Sequence, residues 1–112
     1  MSETIEARPA STVVLLRDTA NGLETLLLKR NKALVFAGGA WVFPGGSVDP
    51  EDFEAGDGSI AEASRIAAAR EAHEESGLSP RLADMALLCH WTTPVGDPRR
   101  FSTWIYAAPL AE

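Results

Sequence analysis

The sequence predicts an α/β protein in which a mixed sheet packs against a helical layer. Two segments, Ser11–Arg17 and Arg100–Ala107, are rich in the β-branched, aliphatic and aromatic residues that favour strands. Between them, Ile60–Ser76 is rich in alanine, which favours a helix. Strands placed on both sides of one helix along the chain are typical of an α/β sandwich with a mixed sheet.

The first third of the chain predicts a tail and a hairpin. Residues 1–9 are polar and acidic, and we expect a weakly held tail there. Ser11–Arg17 reads as a buried strand. Asn21-Gly22 can adopt the positive φ of a tight turn, so Leu23–Arg30 is expected to return as the second strand of the hairpin.

The middle of the chain predicts little regular structure before the helix. Asn31–Gly39 reads as a connection, and Ala40–Phe43 as a short strand that Pro44-Gly45-Gly46 ends. Residues 47–58 contain acids, glycines and a proline without a clear period. We therefore expect an insertion loop over 47–58.

The predicted helix has clear signals at both ends, within the segment 59–78. Ser59 is a good N-cap, and Glu62 three residues later completes a capping box. Gly77 suits the left-handed position after the last turn, and Pro80 prevents continuation. Two further strands are expected after the helix, over Leu82–Trp91 and Arg100–Ala107.

Composition excludes several classes of protein. A chain of 112 residues predicts one domain, and its net charge of −6 argues against a nucleic-acid partner. No apolar run approaches the roughly 20 residues of a membrane span, and no signal peptide is evident. The single cysteine, Cys89, excludes an intrachain disulfide and fits a cytoplasmic location. We expect Cys89 to be buried as a small hydrophobe.

The segment Arg70–Leu78 carries the strongest functional pattern. In a helix, Glu71, Glu74 and Glu75 lie within about one-third of the circumference. Carboxylates this close repel one another unless a cation separates them, and Mg²⁺ and Mn²⁺ prefer oxygen ligands. The alternative is a solvated helix face, but no basic residue lies four positions after any of these glutamates.

Together with Glu62, this segment resembles the Nudix box. The box reads Gly, five residues, Glu, seven residues, Arg-Glu-aliphatic-x-Glu-Glu-x-Gly-aliphatic, and here Ala72 occupies the first aliphatic position. Gly56 has the literal spacing of the opening glycine. Gly46, the last residue of the Phe43-Pro-Gly-Gly turn, is our preferred counterpart, with an insertion between it and the helix.

The resemblance implies a Nudix fold, with helices on both faces of the sheet, and a Mg²⁺- or Mn²⁺-dependent hydrolase. It implies metal binding by Glu71, Glu74, Glu75 and the carbonyl oxygen of Gly46. Glu74, Glu75 and Arg70 are the predicted catalytic residues, with Arg70 expected to hold a glutamate through a two-point pair. A capping role explains Glu62 without metal. His73 is expected to be packed or hydrogen-bonded.

The resemblance implies a small-molecule substrate with a diphosphate linkage. Among Nudix enzymes the region before the box is most similar to the coenzyme A diphosphatase branch with a long insertion after Phe-Pro-Gly-Gly, although Val35 replaces the arginine of that motif. Coenzyme A or acyl-CoA is the preferred substrate. Dinucleotides or nucleotide sugars are the alternative, and a non-catalytic nucleotide-binding module is the alternative from another class.

Basic and aromatic residues outside the box supply candidate substrate contacts. Arg30, Arg99 and Arg100 are predicted to hold substrate phosphates, with a solvated strand edge as the equal alternative for the Arg99-Arg100 pair. Trp41 and Trp91 could stack on a base, but core packing is the preferred interpretation.

The resemblance also implies that a complete domain has further elements after the position of Tyr106. We therefore expect the chain to be the N-terminal portion of a complete domain, or to form a homodimer that covers the sheet.

Overall fold

The computed structural model describes residues 6–29 and 40–110, which form seven strands and two α-helices. The strands are β1 (Arg8–Thr19), β2 (Gly22–Thr25), β3 (Leu28–Lys29), β4 (Trp41–Val42), β5 (Gly45–Ser47), β6 (Ala86–Thr92) and β7 (Phe101–Pro109). The helices are α1 (Pro50–Ala55) and α2 (Ile60–Ser76).

The predicted α/β architecture with a mixed sheet is confirmed. The main sheet has the order β2-β1-β7-β6, and β5 also pairs with β1. β1 is antiparallel to β2 and β5 but parallel to β7, whereas β6 is antiparallel to β7. β3 and β4 form a separate two-stranded sheet. The long strand β1 is therefore the centre of the fold.

α2 covers one face of this sheet. Small alanines on the helix allow it to lie close to the strands, and they are fully buried there. Ser64 of α2 and Tyr106 of β7 share a hydrogen bond of 2.6 Å between their hydroxyl groups. The main core consists of Val13, Leu15, Ala68, Ala72, Met85, Tyr106 and Ala108.

The second face of the sheet is less well covered. Alternation along the strands places Val14 and Leu16 of β1 and Ile105 and Ala107 of β7 on this face, and all four are only half-buried. Both described helices lie elsewhere, since α2 contacts the opposite face and α1 packs against α2. No helix within residues 6–29 and 40–110 is long and apolar enough to cross a membrane.

α2 begins and ends at the predicted residues. The Ser59 hydroxyl accepts the N–H of Glu62 at 3.2 Å, and Gly77 has a φ of 79°. Only half of the predicted capping box forms, because the N–H of Ser59 donates to the Asp57 carboxylate instead of to Glu62.

The loop expected over 47–58 is wrong in its secondary structure, because this segment contains α1. Asp49 is the N-cap, Pro50 occupies the first turn, and the Asp49 and Asp52 side chains form a reciprocal capping box. Proline is tolerated in the first turn of a helix because N–H groups there have no acceptor within the helix, so the N–H that proline lacks costs no hydrogen bond. The signals were present, but the acidic and glycine-rich composition favoured a loop.

The strand boundaries differ from prediction in both halves of the chain. β1 begins at Arg8, within the tail expected over 1–9, and the N–H of Arg8 donates to the carbonyl of Arg100. The expected strand Leu23–Arg30 is split, because β2 continues the hairpin whereas β3 pairs with β4. Arg30 itself and the connection Asn31–Gly39 lie outside the described residues.

The later strands also shift. A short 3₁₀ turn, Leu82–Asp84, replaces the first part of the strand expected over Leu82–Trp91, and β6 begins at Ala86. β7 ends at Pro109, two residues beyond the expected Ala107. Its extension follows from the parallel register with β1, in which Leu16 pairs with Pro109.

The burial expected for three side chains is wrong. Trp41 is 64% exposed and Trp91 is 69% exposed. Cys89 is also exposed, because both faces of β6 are open to solvent. These residues have apolar neighbours in sequence, but β6 lies at the edge of the main sheet and β4 belongs to the separate two-stranded sheet.

Candidate functional site

The candidate site forms where the second half of α2 passes the short strand β5. The Glu71 carboxylate lies directly against the backbone of Gly46, since a Cβ atom built on Gly46 would be 2.6 Å from Glu71 Cδ. A Cβ atom built on Gly56 would instead meet the side chains of Glu62 and Ile66. Of the two candidate glycines, Gly46 is therefore the one beside the glutamates.

Glu75 contacts the same strand. Its Oε1 accepts a hydrogen bond of 2.9 Å from the N–H of Gly45. Gly45 is itself packed tightly on β1, because a Cβ at this position would be 2.4 Å from the carbonyl oxygen of Ser11. Two consecutive glycines thus allow α2, β5 and β1 to approach closely, and they bring backbone groups to the carboxylates.

Arg70 joins the remaining carboxylates of the site. Its Nη1 donates to Glu71 Oε1 at 2.9 Å and to Glu74 at 3.2 Å. Its Nε and Nη2 each donate to Asp52 at 3.0 Å. Nη2 also donates to the carbonyl of Ser47 at 3.2 Å. All five N–H groups of the guanidinium therefore have an acceptor.

Asp52 is the residue of this site that the sequence did not predict. The two-point pair of Arg70 was expected on a glutamate of the box, but it forms with Asp52, whose side chain is only 2% exposed. Asp52 lies 18 residues before Arg70, and helical spacing does not relate the two. The pattern Asp49-Pro50-x-Asp52 could have indicated a short helix, although not its partner.

The pKa values follow from this arrangement. Burial raises the pKa of Glu71, and the charges of Glu75 and Glu74 add to the effect, while Arg70 opposes it. Burial also disfavours the charged form of Asp52, but hydrogen bonds from Arg70 and from the Asp49 backbone outweigh it and lower the pKa of Asp52. The pKa of Arg70 is raised above its usual range, chiefly by Asp52.

The donor set fits a hard divalent cation in chemistry. It consists of carboxylate oxygens and the backbone of Gly46, which has no Cβ atom to obstruct the approach of a cation. As the side chains stand, no three carboxylate, imidazole or thiol groups converge into a metal-binding cluster in the part of the chain that the structure describes. The reason is visible in the hydrogen bonds, because Glu71 and Glu74 face Arg70 whereas Glu75 faces Gly45.

A cleft of about 590 Å³ opens beside these groups. The residues that line it include Gly46 and Glu75, together with Lys29 of β3 and Phe43, which follows β4. Its volume lies within the range of about 300–1,000 Å³ that is usual for small-molecule sites. The cleft therefore places a basic and an aromatic side chain beside the carboxylate-lined end of α2.

The other predicted substrate contacts lie elsewhere. Arg99 and Arg100 line a separate cleft with Glu6 and Arg8, and they are not among the residues that line the cleft at Gly46. Arg100 Nε donates to the carbonyl of Thr93 at 3.1 Å. Arg30 lies outside the described residues.

His73 is hydrogen-bonded, in agreement with expectation. Its Nδ1 lies 2.9 Å from the hydroxyl of Ser79, on the surface of the protein. This contact joins the last turn of α2 to the segment that follows it, and it involves none of the box carboxylates.

The chain belongs to the NUDIX domain family, which matches residues 7–111. This match covers nearly the whole sequence. Members of the family generally hydrolyse nucleoside diphosphate derivatives, and Nudix hydrolases generally use divalent metals such as Mg²⁺ or Mn²⁺.

Solved structures support the same fold. The chain is similar to a NUDIX hydrolase from Alicyclobacillus acidocaldarius, with a TM-score of 0.76 and 23% identity, over 96% of this chain and 72% of that one. It is similar to a MutT/nudix family protein from Enterococcus faecalis, with a TM-score of 0.74 and 25% identity, over 97% of this chain and 39% of that one. No curated protein matches the sequence.

A third similar structure contains a ligand. It is the NUDIX domain of Shewanella oneidensis NrtR complexed with ADP ribose, with a TM-score of 0.70 and 22% identity, over 96% of this chain and 63% of that one. Against the last two structures, this chain spans less than two-thirds of the longer protein.

Proposed function

We propose that this chain hydrolyses a diphosphate linkage in a nucleoside diphosphate derivative, with Mg²⁺ or Mn²⁺ as its cofactor. The observation that carries the proposal is the position of Glu71 against Gly46, with Glu75 on the neighbouring Gly45 N–H. These contacts bring carboxylates and backbone together at the edge of a cleft large enough for a nucleotide. Family membership supports the reaction class.

The proposed ligands are Glu71, Glu74, Glu75 and the carbonyl oxygen of Gly46. When bound, the metal would neutralise charge on the diphosphate and lower the pKa of a coordinated water. Glu74 is exposed and Glu75 borders the cleft, so either carboxylate could accept the proton of the attacking water. The Gly45 N–H fixes the Glu75 side chain through Oε1 and orients it at the cleft.

The proposed substrate is coenzyme A or an acyl-CoA, cleaved to an adenosine bisphosphate and a phosphopantetheine product. The support is the sequence pattern around Phe43-Pro-Gly-Gly. The cleft adds Lys29, a cation suited to phosphate, and Phe43, an apolar surface suited to a base. Dinucleotides and nucleotide sugars are the alternative within the reaction class.

A nucleotide-binding module without hydrolytic activity is the second candidate. It is favoured by the similarity to the NUDIX domain of NrtR, whose structure contains ADP ribose. The presence of all three box glutamates favours the enzyme. The proposals that the protein binds no nucleic acid and acts in the cytoplasm remain predictions from charge and cysteine content.

A panel of diphosphates would test the proposed function. Coenzyme A, acetyl-CoA, a diadenosine polyphosphate, a nucleotide sugar and ADP-ribose would each be incubated with the protein and Mg²⁺, and products would be separated by chromatography. We expect metal-dependent cleavage, fastest with coenzyme A or acetyl-CoA. Tight binding of ADP-ribose without any product would support the binding module instead.

Glu74→Gln and Glu75→Gln should each reduce turnover by about 100-fold or more, because the amide keeps the shape but loses the charge. Circular dichroism should show an intact fold. Glu62→Gln is the matched control, since Glu62 lies on the same helix with a capping backbone contact. Wild-type turnover in both variants at saturating Mg²⁺ would remove these residues from the mechanism.

Magnesium should also raise the melting temperature, because it binds the native site and not the unfolded chain. Repulsion among Glu71, Glu74 and Glu75 is part of what the cation would relieve. Differential scanning fluorimetry at neutral pH and low salt would measure the shift. A melting temperature that is indifferent to saturating Mg²⁺ would contradict a preformed site.

A further inference from the structure

We propose that Asp52 is a positioning residue, which holds the Arg70 guanidinium so that Glu71 keeps one oxygen available for a divalent cation. This inference rests on the proposed function, because it takes Glu71 as a metal ligand. It assigns a specific role to α1, the short helix in the segment between Gly46 and the box.

The first observation is how the N–H donors of the Arg70 guanidinium are distributed among their acceptors. Asp52 accepts from Nε and Nη2 at 3.0 Å each, which is the two-point geometry that gives a carboxylate–arginine pair its direction. The remaining Nη2 hydrogen goes to the Ser47 carbonyl. Only Nη1 is directed at the box, where it contacts Oε1 of Glu71 at 2.9 Å and both oxygens of Glu74 at the longer distances of 3.2 and 3.4 Å.

This arrangement leaves one oxygen of Glu71 without a hydrogen bond from Arg70. Nη1 donates to Oε1 of Glu71, and none of the hydrogen bonds among the described residues reaches Oε2, although both oxygens lie within 2.9 Å of the position of a Cβ atom on Gly46. Without the pair to Asp52, the guanidinium would be free to rotate and bind Glu71 through two parallel hydrogen bonds, its preferred geometry with a carboxylate. Both oxygens of that glutamate would then be occupied, and the cation would have to displace the guanidinium.

The second observation is that Asp52 is itself held firmly. Its Oδ2 accepts the N–H of Asp49 at 2.8 Å within the capping box that starts α1. The next residue, Phe53, packs with Val48 against Ala63 and Ala67 of α2. The Asp52 carboxylate is therefore fixed to the face of α2 that carries the box, with its side chain almost fully excluded from water.

A second aspartate provides a comparison within the same structure. Asp49 Oδ2 lies 3.2 Å from Arg70 Nη2, a similar distance, but the Asp49 side chain is 47% exposed. Exposed ion pairs contribute little, because water screens them. Asparagine is as good an N-cap as aspartate, so Asp49→Asn removes a charge beside Arg70 while keeping the helix start.

The test compares the Mg²⁺ affinity of four variants with that of the wild type, measured by isothermal titration calorimetry on folded protein. Asp52→Asn should weaken Mg²⁺ binding by about tenfold, the lower end of the range for groups that orient metal ligands. Asp49→Asn should change it by less than about twofold. Arg70→Lys keeps the charge but loses the fork, and it should weaken binding to a similar degree as Asp52→Asn.

The double variant decides whether Asp52 acts through Arg70. If it does, adding Asp52→Asn to Arg70→Lys should change the affinity by less than about twofold, because the pair is already broken. Independent, multiplying effects would overturn the proposal. A lower melting temperature in Asp52→Asn with unchanged Mg²⁺ affinity would also overturn it and would leave Asp52 a purely structural role.

Two further outcomes keep the test decisive. If Asp52→Asn does not fold, Arg70→Lys alone still tests the idea, since wild-type affinity in that variant would mean that the orientation of the guanidinium is unimportant. Wild-type protein that binds Mg²⁺ but cleaves no diphosphate would overturn the proposed function and leave this inference standing. Wild-type protein that binds neither Mg²⁺ nor Mn²⁺ would overturn both.

Discussion

Gly45 and Gly46 are adjacent in sequence, yet a side chain at each position would meet different surroundings. At Gly45 the nearest atoms belong to β1, and two of the three are backbone atoms, the Ser11 carbonyl oxygen and the Thr12 Cα. At Gly46 they are the three terminal atoms of the Glu71 side chain, between 2.6 and 2.9 Å away. Backbone cannot move without disturbing the sheet, whereas a glutamate side chain can rotate. The first glycine therefore serves the fold, and we infer that the second serves the site.

Gly46→Ala should consequently weaken Mg²⁺ binding by about tenfold or more while changing stability little, because the methyl group displaces the Glu71 carboxylate. Gly45→Ala is the matched comparison and should lower stability by about 1–3 kcal/mol through overpacking. Urea unfolding and calorimetric Mg²⁺ titration of both variants would measure the two effects. Equal loss of stability in both, with Mg²⁺ affinity unchanged in Gly46→Ala, would contradict this division.

Sequence alone predicted the residues whose relation is local. Glu71, Glu74 and Glu75 share a helix face because of helical spacing, and their register needs no tertiary information. Asp52 could not be predicted, because its pairing with Arg70 depends on how two separate helices pack. Trp91 illustrates the opposite error, since its apolar character favoured burial but its strand lies at a sheet edge.

At the scale of elements, α1 is joined to α2 by both apolar packing and the Asp52–Arg70 pair. The helix has only six residues, too few to be stable by itself. Its capping box and proline define where it starts, and Phe53 supplies the apolar contact. Signals at the ends of a helix can therefore identify a short helix even where the composition indicates a loop.

The pair should make the attachment of α1 sensitive to acid. The pKa of Asp52 is lowered in the folded protein, so its stabilisation is fully present above the unfolded value of about 3.9 and is lost as pH falls through the folded value. Asp52→Asn should therefore be less stable than wild type by about 1.5–3 kcal/mol at pH 6, and this difference should narrow only below about pH 4. Urea unfolding in metal-free buffer from about pH 6 to below about pH 3 would measure it. A stability difference between wild type and Asp52→Asn that stays constant with pH would contradict a stabilising role for the charged form of Asp52.

For the whole molecule, the exposure of the second sheet face is the main property that composition did not reveal. α2 covers one face, whereas Val14 and Ile105 on the other are only half-buried among the described residues. At the edge of the sheet, Leu87, Leu88 and Trp91 are each more than half exposed. Large exposed apolar side chains at a sheet edge are typical of a surface that contacts another chain or segment.

We expect the purified 112-residue chain to self-associate through this surface. Analytical ultracentrifugation over a range of concentrations should show dimers or larger species. Leu88→Lys and Trp91→Lys should shift the equilibrium toward monomer, because β6 is exposed on both faces and tolerates charge. Arg81→Ala, at an exposed site before β6, serves as a control. A well-folded monomer at every concentration would contradict the expectation.

The parallel pairing of β1 with β7 also determines when this protein can fold. Nine residues of β1 each pair with a partner 93 positions later in the chain, from Arg8 with Phe101 to Leu16 with Pro109. Closing so long a loop has an entropic cost that must be met before the contacts of the central strands are formed. During synthesis, β1 therefore lacks its parallel neighbour β7 until residues 101–109 have left the ribosome. β1 precedes every other described strand in the chain, yet its longest pairing is among the last to form. Until then its only strand partners within the main sheet of the described residues are β2, at residues 16–19, and β5, at residues 10–12.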